Sequence, residues 1–198
     1  MSAAAHLDQV WQTSDDPFGY RTRWYEQRKR DLLLAVLPWP GFGRGWEIGC
    51  ANGELTHALA GRCESLLGTD LHPRAVAAAR ARCSVLAHVE VRQMEHPPDW
   101  PDGRFDLVVV GEVGSYLDAP SLARFVARLE ESLAPGAVVV GCHWQHDFQG
   151  RRSSTAAGHA CLAAVPGLAR LARYSDADVL LECWSLGPVS VAAREGLR

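Results

Sequence analysis

WEIGCANGELT (residues 46–56) decides the reading of the fold. A short apolar run carries a carboxylate, Glu47; Gly49 and Gly53 follow with Ala51 between them, and a helix-forming run starts at Glu54. That is a strand turning sharply into a helix, and in open α/β sheets ligands bind at the carboxyl end of such a strand. The spacing, E-x-G-x-A-x-G, differs from the G-x-G-x-x-G of dinucleotide-binding turns.

The pattern continues on both sides of the turn. Upstream, YEQRKRDLLLAVLP (25–38) carries Tyr25, Leu32, Leu33 and Val36 at near-helical spacing and is ended by Pro38. Downstream come the helical ELTHALAGRC (54–63), the apolar ESLLGTD (64–70) and HPRAVAAARARC (72–83). Pro73 suits a first helical turn, where its missing N–H has no partner to lose. HVEVRQ (88–93), FDLVVVG (105–111), a helix over 121–133 with Leu122, Phe125, Val126, Leu129 and Leu133 on one face, and APGAVVVGC (134–142) complete the alternation. Apolar runs that do not alternate, joined by helices of ordinary length, predict a mostly parallel sheet with helices on both faces, a doubly wound α/β fold. After residue 144, QHDFQGRRSSTAAGH (145–159) reads as a polar loop and ACLAAVPG (160–167) as a short helix stopped by Pro166. LARLARYSDADVLLECWSL (168–186) reads as an antiparallel hairpin on the sheet edge.

With 198 residues the chain suits one domain, 1–198, able to bury a proper core. Its 20 basic against 23 acidic residues, a formal net charge of −3, give no electrostatic footprint for nucleic acid. The opening MSAAAHLDQVWQ lacks the basic start and apolar run of a signal peptide, and no stretch approaches the roughly 20 apolar residues of a membrane span. A cytoplasmic protein with no membrane partner is therefore expected. The 6 cysteines never form C-x-x-C, and His146, Asp147 and His159 make no helical H-x-x-x-H pair, so no metal is expected.

Glu47 gives the turn a sign. A pyrophosphate favours the N–H groups of a helix N-terminus, and a carboxylate just before them would repel it. The same carboxylate attracts the ammonium or sulfonium region of S-adenosylmethionine, which makes that cofactor the expected ligand rather than NAD. A second carboxylate, Asp70, ends the next strand about twenty residues on, where it can accept both hydroxyls of a ribose. Its other reading is the N-cap of the helix that follows.

On these motifs the chain resembles the class I S-adenosylmethionine-dependent methyltransferases, and within them the NodS family of small N-methyltransferases. The resemblance runs through DPFGYRTRWYEQRKRDLLLAVLP (16–38), WEIGCANGELT, WPDGRFDLVVVGEVGSYLD (100–118), HW (143–144) and LARYSDADVLLECW (171–184). It implies a Rossmann-like seven-stranded sheet with the last strand antiparallel, in keeping with the hairpin. It also implies a cofactor site built from Glu47, Gly49, Cys50, Ala51 and Gly53 of the turn, from Asp70 and Leu71, from Met94 and Glu95, and from Glu112. Ala51 stands where many members have glycine, and Glu95 with Met94 falls where an Asp often holds the adenine amino group. The implied reaction is methyl transfer to the nitrogen of a small amine or amino sugar.

An amine attacks only when neutral, and that requirement nominates catalytic residues. Glu112 and His143 fall at the carboxyl ends of the fourth and fifth strands. His143 can take a proton near neutral pH, and Glu112 can orient the ammonium before it loses one. The alternative for His143 is a hydrogen-bonded structural histidine. Tyr20, Tyr25, Tyr116, Trp144 and His146 are the expected acceptor-binding residues, since aromatic faces suit a sugar ring or an ammonium. Residues 15–38 are expected to form a helical lid, with Arg28 meeting the methionine carboxylate. The other reading of that segment is an amphipathic helix on the sheet with Arg28 in solvent. O- or S-methyl transfer to a small metabolite, a non-catalytic S-adenosylmethionine-binding protein and an NAD-dependent oxidoreductase also stay open, the last disfavoured by Glu47 and the glycine spacing.

Overall fold

The computed structural model describes residues 3–198; Met1 and Ser2 of the opening segment lie outside the described residues. Seven strands form one sheet: β1 Phe42–Ile48, β2 Cys63–Asp70, β3 Val89–Gln93, β4 Phe105–Val110, β5 Leu133–Trp144, β6 Ala169–Ser175 and β7 Val179–Ser185. Their order is β3-β2-β1-β4-β5-β7-β6. The first five pair in parallel, and β7 lies antiparallel between β5 and β6. The tail hairpin therefore forms about YSDAD, with its second strand on the inside. The order in which strands are added reverses between β1 and β4, which opens the crevice above their carboxyl ends.

The central strands are apolar throughout because both faces are covered. Leu107 and Val109 of β4 with Val138, Val140 and Cys142 of β5 face one core; Val108, Val110, Ala137 and Val139 face the other. Helix α2 (Trp24–Val36) packs Leu33 on the first face. Helices α5 (Ala119–Glu131) and α6 (Thr155–Ala163) pack Phe125, Leu129 and Leu162 on the second.

Local chemistry sets where the helices begin and end. Helix α2 stops at Leu37, which is extended because Pro38 follows it. Helix α3 (Glu54–Ala60) starts after Gly53, whose φ is +82°, and α4 (Pro73–Arg82) is capped by His72, whose Nδ1 accepts the Arg74 N–H at 3.3 Å. Helix α5 begins two residues before the expected 121, because Asp118 accepts the Ser121 N–H at 3.0 Å and Pro120 occupies the first turn. Leu133 then opens β5 rather than closing the helix. Ser154 caps α6, so residues 155–159 are helical and the polar loop ends at 154. An unexpected helix, α1 (Ala3–Trp11), forms from the alanine-rich AAAHLDQVW and stacks Trp11 on His72 at 5.8 Å. Helix α7 is Val191–Arg194. Among the described residues no helix is long and apolar enough to cross a membrane.

Candidate active site

The glycine turn sits where β1 meets the crevice. Gly49 has φ +83° and Ala51 +46°, and a Cβ on Gly53 would lie 2.8 Å from the Cα of Ala79, so α4 approaches the turn too closely for any side chain there. Asp70 ties this turn to the next one: one oxygen accepts the Ala51 N–H and the other the His72 N–H, both at 2.9 Å. The capping alternative for Asp70 is thereby replaced, since His72 performs it. Burial pushes the Asp70 pKa up, against the pull of the His72 and Ala51 N–H groups.

A cavity of about 750 Å³ opens above the turn, within the size range of small-molecule sites. Asp70, Leu71, Met94 and Glu95 line it on the β2–β3 side; Tyr20, Tyr25, Glu112, Tyr116 and Trp144 line it on the α2 and β4–β5 side. Glu112 opens a 3₁₀ helix, Glu112–Tyr116, and both its oxygens accept the Trp144 backbone N–H, at 2.9 and 3.1 Å. Lys29 Nζ lies 3.4 Å from Glu112 and 3.0 Å from Glu26. Burial raises the Glu112 pKa, opposed by the Lys29 charge and the Trp144 N–H. Burial alone would lower the Lys29 pKa, but the Glu112 and Glu26 carboxylates outweigh it and hold the ammonium charged. Tyr25 stands edge-on to Trp144 at 5.3 Å, and its hydroxyl is buried with no protein partner. Burial raises the Tyr25 pKa as well, which keeps that hydroxyl a donor.

Other residues nominated from the sequence lie elsewhere. His143 points away from the cavity: successive side chains on a strand face opposite sides, so Trp144 takes the cavity side and His143 the side of α6, where it meets His159 at 3.1 Å. Burial pushes its pKa well below the ordinary histidine value, which removes it as the proton acceptor. Arg28 docks on the β6–β7 turn, 2.9 Å from Asp176 and bonded to the Tyr174 hydroxyl, and does not reach the cavity. His146 pairs with Asp178 at 2.8 Å outside the cavity, though its ring packs 4.7 Å from Trp144. The Cys50 side chain is buried against Val76, Ala79 and Val91 beneath the turn. Glu47 lies under the turn on a smaller pocket of about 70 Å³ that shares Gly49, Ala51, Lys29 and Glu112 with the main cavity. It accepts the Thr56 hydroxyl at 2.6 Å, and burial raises its pKa to about 8.

Lys29 and Glu26 are charged cavity residues beside Glu112 that sequence reasoning missed, as it did Arg23, Asp118, Arg124 and Arg152 on the cavity lining. The signal was available, because Lys29 follows Tyr25 by four residues and so shares its helix face.

A seven-stranded sheet in this order, with a glycine turn after β1 and a carboxylate ending β2, defines a methyltransferase fold that takes S-adenosylmethionine. Residues 46–136 match the methyltransferase domain as a family. A candidate methyltransferase from Pseudomonas syringae is 40% identical, with a TM-score of 0.73 over 82% of this chain and 99% of that one. The chain belongs to the class I S-adenosylmethionine-dependent methyltransferases. It is also similar to the N-methyltransferase NodS of Bradyrhizobium japonicum WM9 in complex with S-adenosylhomocysteine, at 25% identity and a TM-score of 0.81 over 91% of this chain and 96% of that one. Nodulation protein S of Rhizobium tropici is 32% identical over 136 residues, 67% of this chain and 54% of that protein. The chain thus spans little more than half the length of that curated relative.

The residues around the turn fit the cofactor. The Asp70 oxygens keep free lone pairs on the cavity wall for ribose hydroxyls, and the turn backbone lies bare at Gly49. Asp70→Ala is expected to weaken S-adenosylhomocysteine binding by about 1.5 to 3 kcal/mol, the scale of hydrogen bonds to a charged group. Titration calorimetry checks it, and unchanged affinity would remove Asp70 from the site.

Glu47 gives a pH dependence with a definite sign. Its pKa rises from 4.5 to about 8 in the folded protein, so the cofactor-free fold favours the protonated form. The Glu47 contribution to stability is fully present below the unfolded value and is lost as pH rises from 4.5 to about 8. The melting temperature of the wild type relative to Glu47→Gln should fall across that window. Equal slopes would mean that Glu47 is not the titrating group.

Proposed function

We propose that this protein transfers a methyl group from S-adenosylmethionine to the nitrogen of a small amine or amino sugar. When bound, the cofactor supplies an electrophilic methyl carbon on a sulfonium. The observation that carries the reading is the acidic, aromatic wall opposite Asp70: Glu112 and Glu26 on either side of Lys29, with Tyr25 and Trp144 beside them. At this wall the two carboxylates exceed the one ammonium, and around the whole cavity Glu26, Asp70, Glu95, Glu112 and Asp118 face Arg23, Lys29, Arg124 and Arg152, so the balance next to Tyr25 and Trp144 favours a cationic amine. The unpartnered Tyr25 hydroxyl oxygen can accept an N–H of such an ammonium, and the edge-on Tyr25–Trp144 pair offers apolar area to a sugar face. Glu112 is the residue suited to hold the ammonium and take its proton, because burial has already raised its basicity. The similarity to NodS, an N-methyltransferase, supports nitrogen over oxygen or sulfur.

Residues 15–38 would serve as the helical lid, with Lys29 rather than Arg28 as the cation available to the methionine carboxylate. Lys29 reaches both pockets, whereas Arg28 is held by Asp176. The deciding experiment incubates the protein and S-adenosylmethionine with a panel of amines, amino sugars, phenols and thiols, and reads product mass. Methylated amines are the expected products. Turnover confined to phenols or thiols would overturn the choice of nitrogen, and no turnover alongside tight cofactor binding would favour a non-catalytic role.

A further inference from the structure

Behind the cavity wall lies a set of buried polar groups for which the methyl-transfer reading has no use. His143 and His159 are 1% and 3% exposed, and meet Nδ1 to Nε2 at 3.1 Å. His159 Nδ1 lies 2.8 Å from Glu182 Oε2, and Glu182 Oε1 is bridged to Arg170 at 2.8 Å. The proton positions follow from who can donate. A carboxylate only accepts, so His159 Nδ1–H donates to Glu182; neutral His159 then offers its Nε2 lone pair, and His143 Nδ1–H donates into it. Burial favours the neutral form of both rings. His143 Nε2 is left as a bare lone pair, and it is buried without a partner.

That nitrogen faces the 3₁₀ helix, where a Cβ on Gly114 would come within 3.0 Å of it. The neighbouring Ser115 carries the complementary orphan, a buried hydroxyl with no partner. The next residue of β5 leads to the active site. The Trp144 N–H donates to both oxygens of Glu112, and the Trp144 carbonyl accepts the Thr155 hydroxyl at 2.6 Å. Thr155 and His159 are four residues apart on α6, so one helix face grips two consecutive residues of β5.

We infer that Glu182, His159 and His143 form a hydrogen-bonded column that holds Trp144, and through it Glu112, in register for methyl transfer. His143 and His159 are positioning residues. Removing His159 leaves a buried His143 N–H unpaired, which is costly enough to tilt the ring and draw the end of β5 with it. Only the kinetic part of this inference rests on the proposed amine reaction.

The test uses the whole chain and the variants His159→Phe, which keeps a ring and breaks the column, and His159→Gln, which keeps a side-chain acceptor. Amide exchange at Trp144, followed by NMR, needs no acceptor. It is expected to quicken by about tenfold in His159→Phe, with His159→Gln between that variant and wild type. Unchanged exchange in the folded Phe variant overturns the inference; if that variant does not fold, His159→Gln decides in the same way. Ring nitrogen NMR of the wild type should find His143 protonated on Nδ1 and bare on Nε2, and the opposite tautomer overturns the column. With an amine accepted by the wild type, His159→Phe should lower kcat on the order of ten- to a hundredfold, the cost of misplaced reacting groups, with KM and cofactor affinity nearly constant. A loss confined to KM or to cofactor affinity would contradict positioning. Should no amine be accepted, the proposed function fails while the two NMR readouts still decide the column.

Discussion

Gly49→Val is expected to abolish measurable S-adenosylmethionine binding while leaving the sheet folded. Gly49 sits at φ +83°, a region that a β-branched residue enters at a cost of about 1 to 3 kcal/mol. Its Cβ would also lie 2.6 Å from Val113 Cγ2. Val113 belongs to the 3₁₀ helix and lines the cavity, so relief of that clash pushes one wall of the site outward. The added methyl groups occupy the crevice just beyond β1, where Gly49 leaves the backbone bare on the cavity wall. Strain and obstruction together should weaken binding on the order of a hundredfold or more, since each 1.4 kcal/mol is tenfold. The sheet should survive, because the Gly49 N–H bond to the Thr69 carbonyl, 2.8 Å, needs no side chain. Gly136→Ala is the control: Gly136 has φ +74°, but nothing lies within 4 Å of its Cβ position and it is remote from the cavity. Calorimetry with S-adenosylhomocysteine and a thermal melt for each variant are sufficient. Retained affinity in a folded Gly49→Val protein would move the cofactor away from this turn.

What could be read from the sequence, and what could not, follows from the range of the interactions involved. The turn at 46–56 and the strand-ending Asp70 depend on local spacing and strand order, and both lie on the cavity wall. The pair His143–Trp144 was nominated as a unit, yet the two-residue period of a strand allows only one of them to face the crevice. Hydropathy gives no help there, since β5 is buried on both faces and its two sides look alike in sequence. Arg28 and Lys29 differ by 100° around α2, and the choice between them was made by Asp176 and Tyr174, about 150 residues away, which no local pattern reports. His72 as the cap of α4 was hidden because Asp, two residues earlier, is the commoner capping residue. The column behind the wall was invisible for the same reason as Arg28: its members come from β5, α6 and β7, joined only by the fold.

Glu112→Gln is expected to lower turnover on the order of a hundredfold while leaving cofactor affinity within a few fold, the usual scale for a positioned proton acceptor. The substitution conserves shape. Glutamine keeps an oxygen for the Trp144 N–H, and Lys29 keeps its bridge to Glu26 at 3.0 Å, so the wall is not dismantled. Only the negative charge is lost, and with it the group that would orient an ammonium and receive its proton. The pH profile separates that role from a steric one. Burial has raised the Glu112 pKa above its ordinary 4.5, and the ionised carboxylate is the active form, so turnover should fall as pH drops through the raised value. The acceptor ammonium contributes a limb of its own, which lies higher and belongs to the substrate. In Glu112→Gln the limb set by the enzyme should vanish and the limb set by the acceptor should remain, shifting only when the amine is exchanged for one of different basicity. A profile identical to wild type at reduced turnover would leave Glu112 as a positioning charge and assign the proton to water. Unchanged turnover as well would mean that the acceptor does not bind against this wall.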